Sequence, residues 1–406
     1  MSRILEGLKV LEMGHVVAIP AASAALADWG ADVIKIEPLT GDMSRGILSY
    51  YTEEEKARLD NPNYINWYFQ FLNRGKRGIA LNLKTPESKE ILKKLVLWAD
   101  IFVTNYEVGT LDKLGADYKT INEINPRIVY GLLTGYGTVG PDKDERGFDF
   151  SAAWARSGLM YMMGEPGSIP SPQRGGVMDR VAGAHIIGGL LAGIYHRDRT
   201  GEGQKVELSL YQTGVWTVSE DIQPTLIGYP TSKFERAKAR SPLWNTYRTK
   251  DDVWFWAAML QPDPSWGDFC RVLGHQEWEN DPRYNSREAR FWNREELIRL
   301  IDDILVTKTF KEWEAVFRGT KVIYGKVQSP VEVVNDPQAL VNDFFVDLHH
   351  PSSNAKVVAT PVKFCQNPAE VQTSAPEIGQ HTEEILLEHN YTWEDISRFK
   401  ELGVIL

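Results

Sequence analysis

Short runs of β-branched and aliphatic residues alternate with longer helical patterns through the first half of the chain, which restricts its fold more than any other feature. Leu8-Lys-Val-Leu-Glu12 reads as a strand, Ala21 to Trp29 as a helix of small residues, and Val33-Ile-Lys-Ile-Glu37 as the next strand. Ile79-Ala-Leu-Asn-Leu83 follows, then a helix over Pro86 to Trp98 whose proline falls in the first turn, where no N–H is needed. Ile101 to Thr104 and Ile128 to Leu133 are further strands. Strands separated by helices need crossover connections. The expected class is therefore α/β, a Rossmann-like large domain with a parallel sheet and helices on both faces. Such sheets bind ligands beyond the carboxyl ends of their strands. Loops starting at Met13, Pro38, Lys84, Asn105 and Thr134 are thus the places to look for chemistry.

With 406 residues the chain is long enough for two domains. Residues 1–219 are expected to form the N-terminal part of the large domain, including a glycine-rich turn at Gly175 and a strand over Gly203 to Leu210. Periodicity is lost from Glu220 to Arg240, where Pro224, Gly228 and Pro230 occur, so 220–243 reads as a linker. A smaller α+β domain is expected over 244–325, with a strand at Val253 to Ala257 and a helix at Arg294 to Leu305. Residues 326–406 would return to complete the large domain, ending in helices at Thr382 to Leu387 and Trp393 to Leu402.

A net charge of −10 argues against a nucleic-acid partner, because neutralising phosphates needs clustered Lys and Arg. No apolar stretch reads as long enough to cross a bilayer; Gly188 to Ile194 is short and closed by His196, Arg197 and Asp198. Met1 to Val10 lacks the pattern of a signal peptide, and Cys270 and Cys365 are too few and too far apart for a disulfide framework or thiolate cluster. The expectation is a cytoplasmic protein in a reducing compartment, with no metal, membrane or nucleic-acid partner.

Gly135-Tyr-Gly-Thr-Val-Gly140 has the spacing of a dinucleotide loop, but Pro141 to Arg146 has no helical apolar face, so it reads as a strand-end loop. Asp179 follows Gly175-Gly-Val-Met and precedes a Gly- and Ala-rich helix over Arg180 to Arg197. An Asp there is an ordinary helix cap, ionised and favoured by the dipole. The same position suits a nucleophile, since the flanking glycines leave room for a substrate carbonyl. His15 ends the first strand and reads alone as a loop residue; His349-His350 has no partner at metal-site spacing. Trp244, Trp254 and Trp256 are dense enough to line a pocket.

These segments together resemble the class III CoA-transferase family, which includes formyl-CoA transferase and carnitine-type CoA-transferases. The resemblance rests on Leu5-Glu-Gly-Leu-Lys-Val-Leu11, Ala27 to Glu37, Gly41-Asp42, Asn73 with Lys76-Arg77, Leu81 to Lys84, and Asn105 with Leu111 to Gly115. It continues through Gly135-Tyr-Gly137, Ser157 to Met160, Thr200 to Val206, Asp336-Pro337 and Gly379 to Ile385, nearly the whole length in family order. It implies that Asp179 is the catalytic nucleophile, that CoA and acyl-CoA are substrates without a prosthetic group, and that the protein is an interlocked homodimer. For CoA it implies His15 in the binding set, Val17 and Ala18 along the pantetheine, and Leu81, Asn82, Leu83, Lys84, Asn105 and Tyr106 at the nucleotide end. Lys113 and Arg146 would meet phosphate.

Two departures accompany the resemblance. Pro38 stands where some relatives carry Arg, leaving more to Lys84, Lys113 or Arg45, and Ala239 to Trp244 replaces a glycine-rich covering loop. The chemistry implied is CoA transfer between carboxylic acids through aspartyl anhydride and aspartyl-CoA thioester intermediates. Backbone N–H groups near Gly175 and Gly176 are candidate oxyanion donors, and Asp149 a supporting polar group. Thr134 to Gly137, Gly140 to Asp144 and Gly147 to Asp149 look like the branch acting on 2-hydroxy acids such as phenyllactate. The alternatives are an α-methylacyl-CoA racemase, which carries His where this chain has Phe148, and a non-catalytic CoA-binding protein.

Overall fold

The computed structural model describes residues 3–46 and 65–406. It divides into two compact units, one built from Met1–Met160, Pro172–Tyr229 and Gln338–Leu406, the other from Tyr161–Ser171 and Pro230–Pro337.

The first unit holds a six-stranded parallel sheet: β1 (Lys9–Met13), β2 (Asp32–Glu37), β3 (Arg77–Ala80), β4 (Ile101–Thr104), β5 (Val129–Thr134) and β6 (Gln204–Ser209), in the order 3-2-1-4-5-6. Val10 lies between Val33 and Ile101, so β1 is the central strand where the winding reverses. Loops leaving β1 and β4 diverge at that point and open a crevice, the ordinary ligand position in such a sheet. Leu11, Ile34, Phe102 and Tyr130 form the core on one face with Ile385, Phe399 and Val404 from the C-terminal segment.

Helix α1 (Ala18–Asp28) begins three residues before periodicity places it, because Pro20 is compatible with a first turn. α2 (Trp67–Asn73) and α3 (Pro86–Trp98) follow; Thr85 caps α3 by accepting the Ser88 N–H. Strand β3 stops at Ala80 rather than Leu83. The Leu81 N–H still reaches Glu37, but the Asn82 N–H turns away to the Val404 carbonyl.

The last helix needed here, α4 (Val177–Thr200), corrects two expectations. It has 24 residues and is long and apolar enough to cross a membrane, whereas no stretch was expected to be. Its glycines explain the composition: a Cβ at Gly193 would lie 2.7 Å from Val129 Cγ1, and one at Gly189 2.7 Å from Val206 Cγ1. The helix is apolar because it lies directly on β5 and β6. It also starts at Val177, with Gly176 as its cap at φ 72°, so Asp179 is inside the first turn and is not the cap.

Part of the segment read as a linker is helical. Ser219–Leu226 forms two turns with Pro224 inside, and the units divide at Tyr229 and Pro230. Residues 161–171 carry no sequence sign of joining the second unit. They do so because the Glu165 carboxylate accepts the Arg236 N–H at 2.9 Å and Lys233 sits over the Tyr161 ring. The second unit has an antiparallel sheet of β7 (Trp244–Arg248), β8 (Trp254–Ala258) and β9 (Tyr324–Lys326). Tyr247, Phe255, Phe269, Trp313 and Phe317 fill its core. Trp244 meets Trp256 edge-on on that sheet.

Candidate active site

The loop after β1 is shaped by side chains from three directions. Lys35 of β2 donates to the Gly14 carbonyl at 2.8 Å. Asn105, just after β4, accepts the His15 N–H and donates to the His15 carbonyl, both at 2.9 Å. Asp42, in the loop after β2, accepts the Val16 N–H at 3.2 Å. Glycine is required at position 14, where a Cβ would fall 2.5 Å from Ile19 Cγ2.

This clamped loop forms one wall of a cavity of about 80 Å³. His15, Val16, Val17, Ala18 and Asn105 line it together with Thr134, Gly135, Phe148, Leu210 and Asp179. The resemblance and the fold therefore bring His15, Val17, Ala18, Asn105 and Asp179 to one place. Tyr106 packs its ring edge-on against His15, with centroids 5.0 Å apart. Burial lowers the His15 pKa, which keeps the imidazole neutral near pH 7.

Asp179 was expected to be ionised by its helix terminus. Instead burial, reinforced by the charge of Asp149, pushes its pKa up to about 7, against the opposing pull of Arg180. The first-turn dipole is too small to offset desolvation beside a second carboxylate. No hydrogen bond to its carboxylate forms among the described residues; the neighbouring Arg180 guanidinium donates to the Gly176 carbonyl at 2.8 Å instead. Asp149 is buried, and desolvation raises its own pKa while the N–H groups of Phe150 and Gly176 oppose the shift. Among the described residues its Oδ2 has no partner, nor do the two amide atoms of buried Gln173, which leans on Asp149 too loosely for a regular hydrogen bond.

The Gly176 N–H, one of the candidate oxyanion donors, acts on Asp149 and opposes the rise of its pKa. The N–H groups of Val17, Ala18 and Ile19 at the start of α1 have no hydrogen-bond partner among the described residues, and Val17 caps the helix without a side-chain bond. Sequence reasoning also missed Tyr68. Apart from burial, the charge of Asp179 is the largest influence raising its phenol pKa. Within Trp67-Tyr-Phe-Gln-Phe-Leu72 nothing separates Tyr68 from core aromatics; only the docking of α2 does.

The remaining predicted residues lie outside the cavity. Leu81 and Leu83 point into the core, because the turn after β3 buries both side chains, while Asn82 is half-buried and Lys84 exposed. Asn82 is engaged with the Gly403 carbonyl. Lys113 is exposed in the last turn of Val108–Leu114, and Arg146 is exposed beside Glu107 at 3.1 Å. Arg45, a suggested substitute for the missing Arg at position 38, is committed elsewhere: it forks onto Glu37 at 2.8 and 2.7 Å and covers the Phe69 ring.

Comparison with known proteins gives this arrangement its relatives. Residues 5–382 match the model of CoA-transferase family III. The chain is 35% identical to (R)-2-hydroxy-4-methylpentanoate CoA-transferase of Clostridioides difficile over 99% of both chains. It is 32% identical to cinnamoyl-CoA:phenyllactate CoA-transferase of Clostridium sporogenes, over 98% of this chain and 97% of that one. A CAIB/BAIF family protein from Brucella suis superposes with a TM-score of 0.82 at 27% identity, covering 96% of this chain and all of the other. A nearly full-length family match, relatives over 30% identical and a shared parallel-sheet fold lead to one conclusion: the chain belongs to CoA-transferase family III and is an enzyme that transfers coenzyme A to an acid.

Proposed function

We propose that the enzyme moves CoA from an acyl-CoA to a 2-hydroxy acid by way of covalent adducts on Asp179. The observation that carries this reading is that Asp179, whose carboxylate has no hydrogen bond among the described residues, lines the same cavity as Val17 and Ala18, whose N–H groups at the start of α1 are unpaired among those residues. Asp179 attacks the thioester carbonyl, and the C–S bond breaks to give an aspartyl–acyl anhydride and CoA thiolate. The thiolate then attacks the Asp179 carbonyl and expels the donor acid, leaving an aspartyl-CoA thioester. The acceptor carboxylate opens that thioester to a second anhydride, and the returning thiolate takes the new acyl group and frees Asp179. Each addition places negative charge on a carbonyl oxygen, which the N–H groups of Val17, Ala18 and Ile19 are available to receive.

For the acid, Leu133, Phe148 and Leu210 give the cavity an apolar side suited to a branched or aryl group. The names of the two relatives, acting on 2-hydroxy-4-methylpentanoate and phenyllactate, support the same class. Racemisation would need a base where Phe148 stands, and phenylalanine accepts no proton.

Trapping tests the covalent path. With (R)-2-hydroxy-4-methylpentanoyl-CoA and hydroxylamine, Asp179 should become a hydroxamate, a mass change confined to the tryptic peptide Gly175 to Arg180. Borohydride should inactivate only when donor is present. An unmodified peptide under turnover would rule the adduct out. Lys113→Ala and Arg146→Ala should each raise the KM for CoA esters roughly tenfold, since a charge-assisted hydrogen bond contributes about 1.5–3 kcal/mol. Unchanged kinetics in both would place the phosphates elsewhere. The proposal includes a homodimer, for which exposed Trp216, Leu226, Ile227 and Tyr229 supply apolar surface.

A further inference from the structure

Val16 stands at φ 65°, a left-handed conformation that a β-branched residue adopts only when its surroundings impose it. What imposes it is visible. The Val16 N–H is bound to Asp42 Oδ1, while Lys35 and Asn105 fix the carbonyls of Gly14 and His15 on the preceding residues. Asp42 is 4% exposed and cannot follow Val16. Its Oδ1 also takes the Ser44 N–H and hydroxyl, each at 2.8 Å, and its Oδ2 lies 2.9 Å from Lys35 Nζ. Lys35 is bound in turn to Glu12, which Lys76 holds from the other side at 2.6 Å. This buried ionic cluster is rigid, whereas Val16 alone would relax to a negative φ.

Asp42 is not among the residues lining the cavity. Directly after Val16 come Val17 and Ala18, which do line it and whose N–H groups are unpaired among the described residues. We propose that Asp42 is a positioning residue for CoA transfer: it holds Val16 left-handed and so keeps the open N-terminus of α1 set in the wall shared with Asp179. The backbone strain at Val16 and the buried cluster under it then have one purpose, a fixed set of donors beside the nucleophile.

The test couples the two positions and rests on CoA transfer itself, not on the choice of acid. With (R)-2-hydroxy-4-methylpentanoyl-CoA and phenyllactate as probes, Asp42→Ala should lower kcat roughly 10- to 100-fold, the effect of a small misplacement near the reacting atoms. KM for the CoA ester should change far less. Asp42→Asn keeps an acceptor for the Val16 N–H and should recover most of the loss. Val16→Gly, made in the Asp42→Ala background, should also recover most of it, because glycine takes a positive φ without help. Independently of turnover, the Val16 amide, which loses its acceptor, should exchange hydrogen faster in Asp42→Ala while the amides of α4 do not. Should Asp42→Ala fail to fold, Asp42→Glu keeps the charge against Lys35 but shifts the acceptor, and permits the same comparison with Val16→Gly. An equal loss whether or not Val16→Gly accompanies the Asp42 substitution, unchanged exchange at Val16, or an effect on KM alone would each overturn the proposal.

Discussion

Asp179→Asn should reduce CoA transfer by roughly 10⁴-fold or more, the scale of removing a covalent nucleophile, while making the folded protein more stable near neutral pH. The carboxamide fills the same space but cannot form an anhydride, so CoA-ester binding should survive. The stability gain follows from the pKa of about 7, raised mainly by burial. A carboxyl whose folded pKa exceeds its unfolded value favours the folded state when protonated. That contribution is complete below the unfolded pKa and is lost as pH rises through the folded one. Ionised Asp179 therefore costs the wild type on the order of a few kcal/mol above pH 7, and asparagine removes the cost. Thermal unfolding should show little difference between the two proteins near pH 4 and a higher Tm for the variant at pH 7.5. Full activity in the variant would eliminate Asp179 as nucleophile; a lower Tm at pH 7.5 would show that its carboxylate is not under strain.

How far a sequence carries to such a site depends on which features are local. The strand–helix alternation and the helix opening at Pro86 are written in neighbouring residues; the Pro86–Trp98 helix lies where it was expected, while α1 and β3 differ at their ends. His15, Asn105 and Asp179 follow from the same logic, being at strand ends or in a glycine turn that any parallel sheet would direct to one edge. Leu81 and Leu83 belong to a matching segment by position, yet position along the chain does not reveal which way a side chain points, and these point inward. Arg45 reads as a spare cation in the sequence, but Glu37 and Phe69 occupy it in the fold. Tyr68 and the strain at Val16 are tertiary properties. One arises from docking of α2, the other from Asp42 reaching across from the loop after β2. The ionised cap expected of Asp179 failed for a related reason: helix position is local, but burial and the nearby Asp149 charge are not.

The same carboxylate pair dictates how the reaction should depend on pH. Asp179 must be ionised to attack, and its pKa in the free enzyme is raised to about 7 by burial and by Asp149. Transfer measured as kcat/KM for the acyl-CoA should therefore fall about tenfold for each pH unit below 7 and level off above it. The acceptor acid is ionised throughout this range, with a reference carboxyl pKa near ~4, so it contributes no limb of its own. Asp149 also titrates high, which makes the limb a property of the coupled pair. Asp149→Asn removes the like charge and should move the acid limb to lower pH. Arg180→Met removes the opposing cation and should move it to higher pH, the reverse displacement from the neighbouring residue. A merely structural role for either side chain would scale the rate without displacing the limb. A profile flat from pH 5 to 9, or limbs that shift in the opposite directions, would mean that the ionised Asp179 carboxylate is not what attacks the thioester.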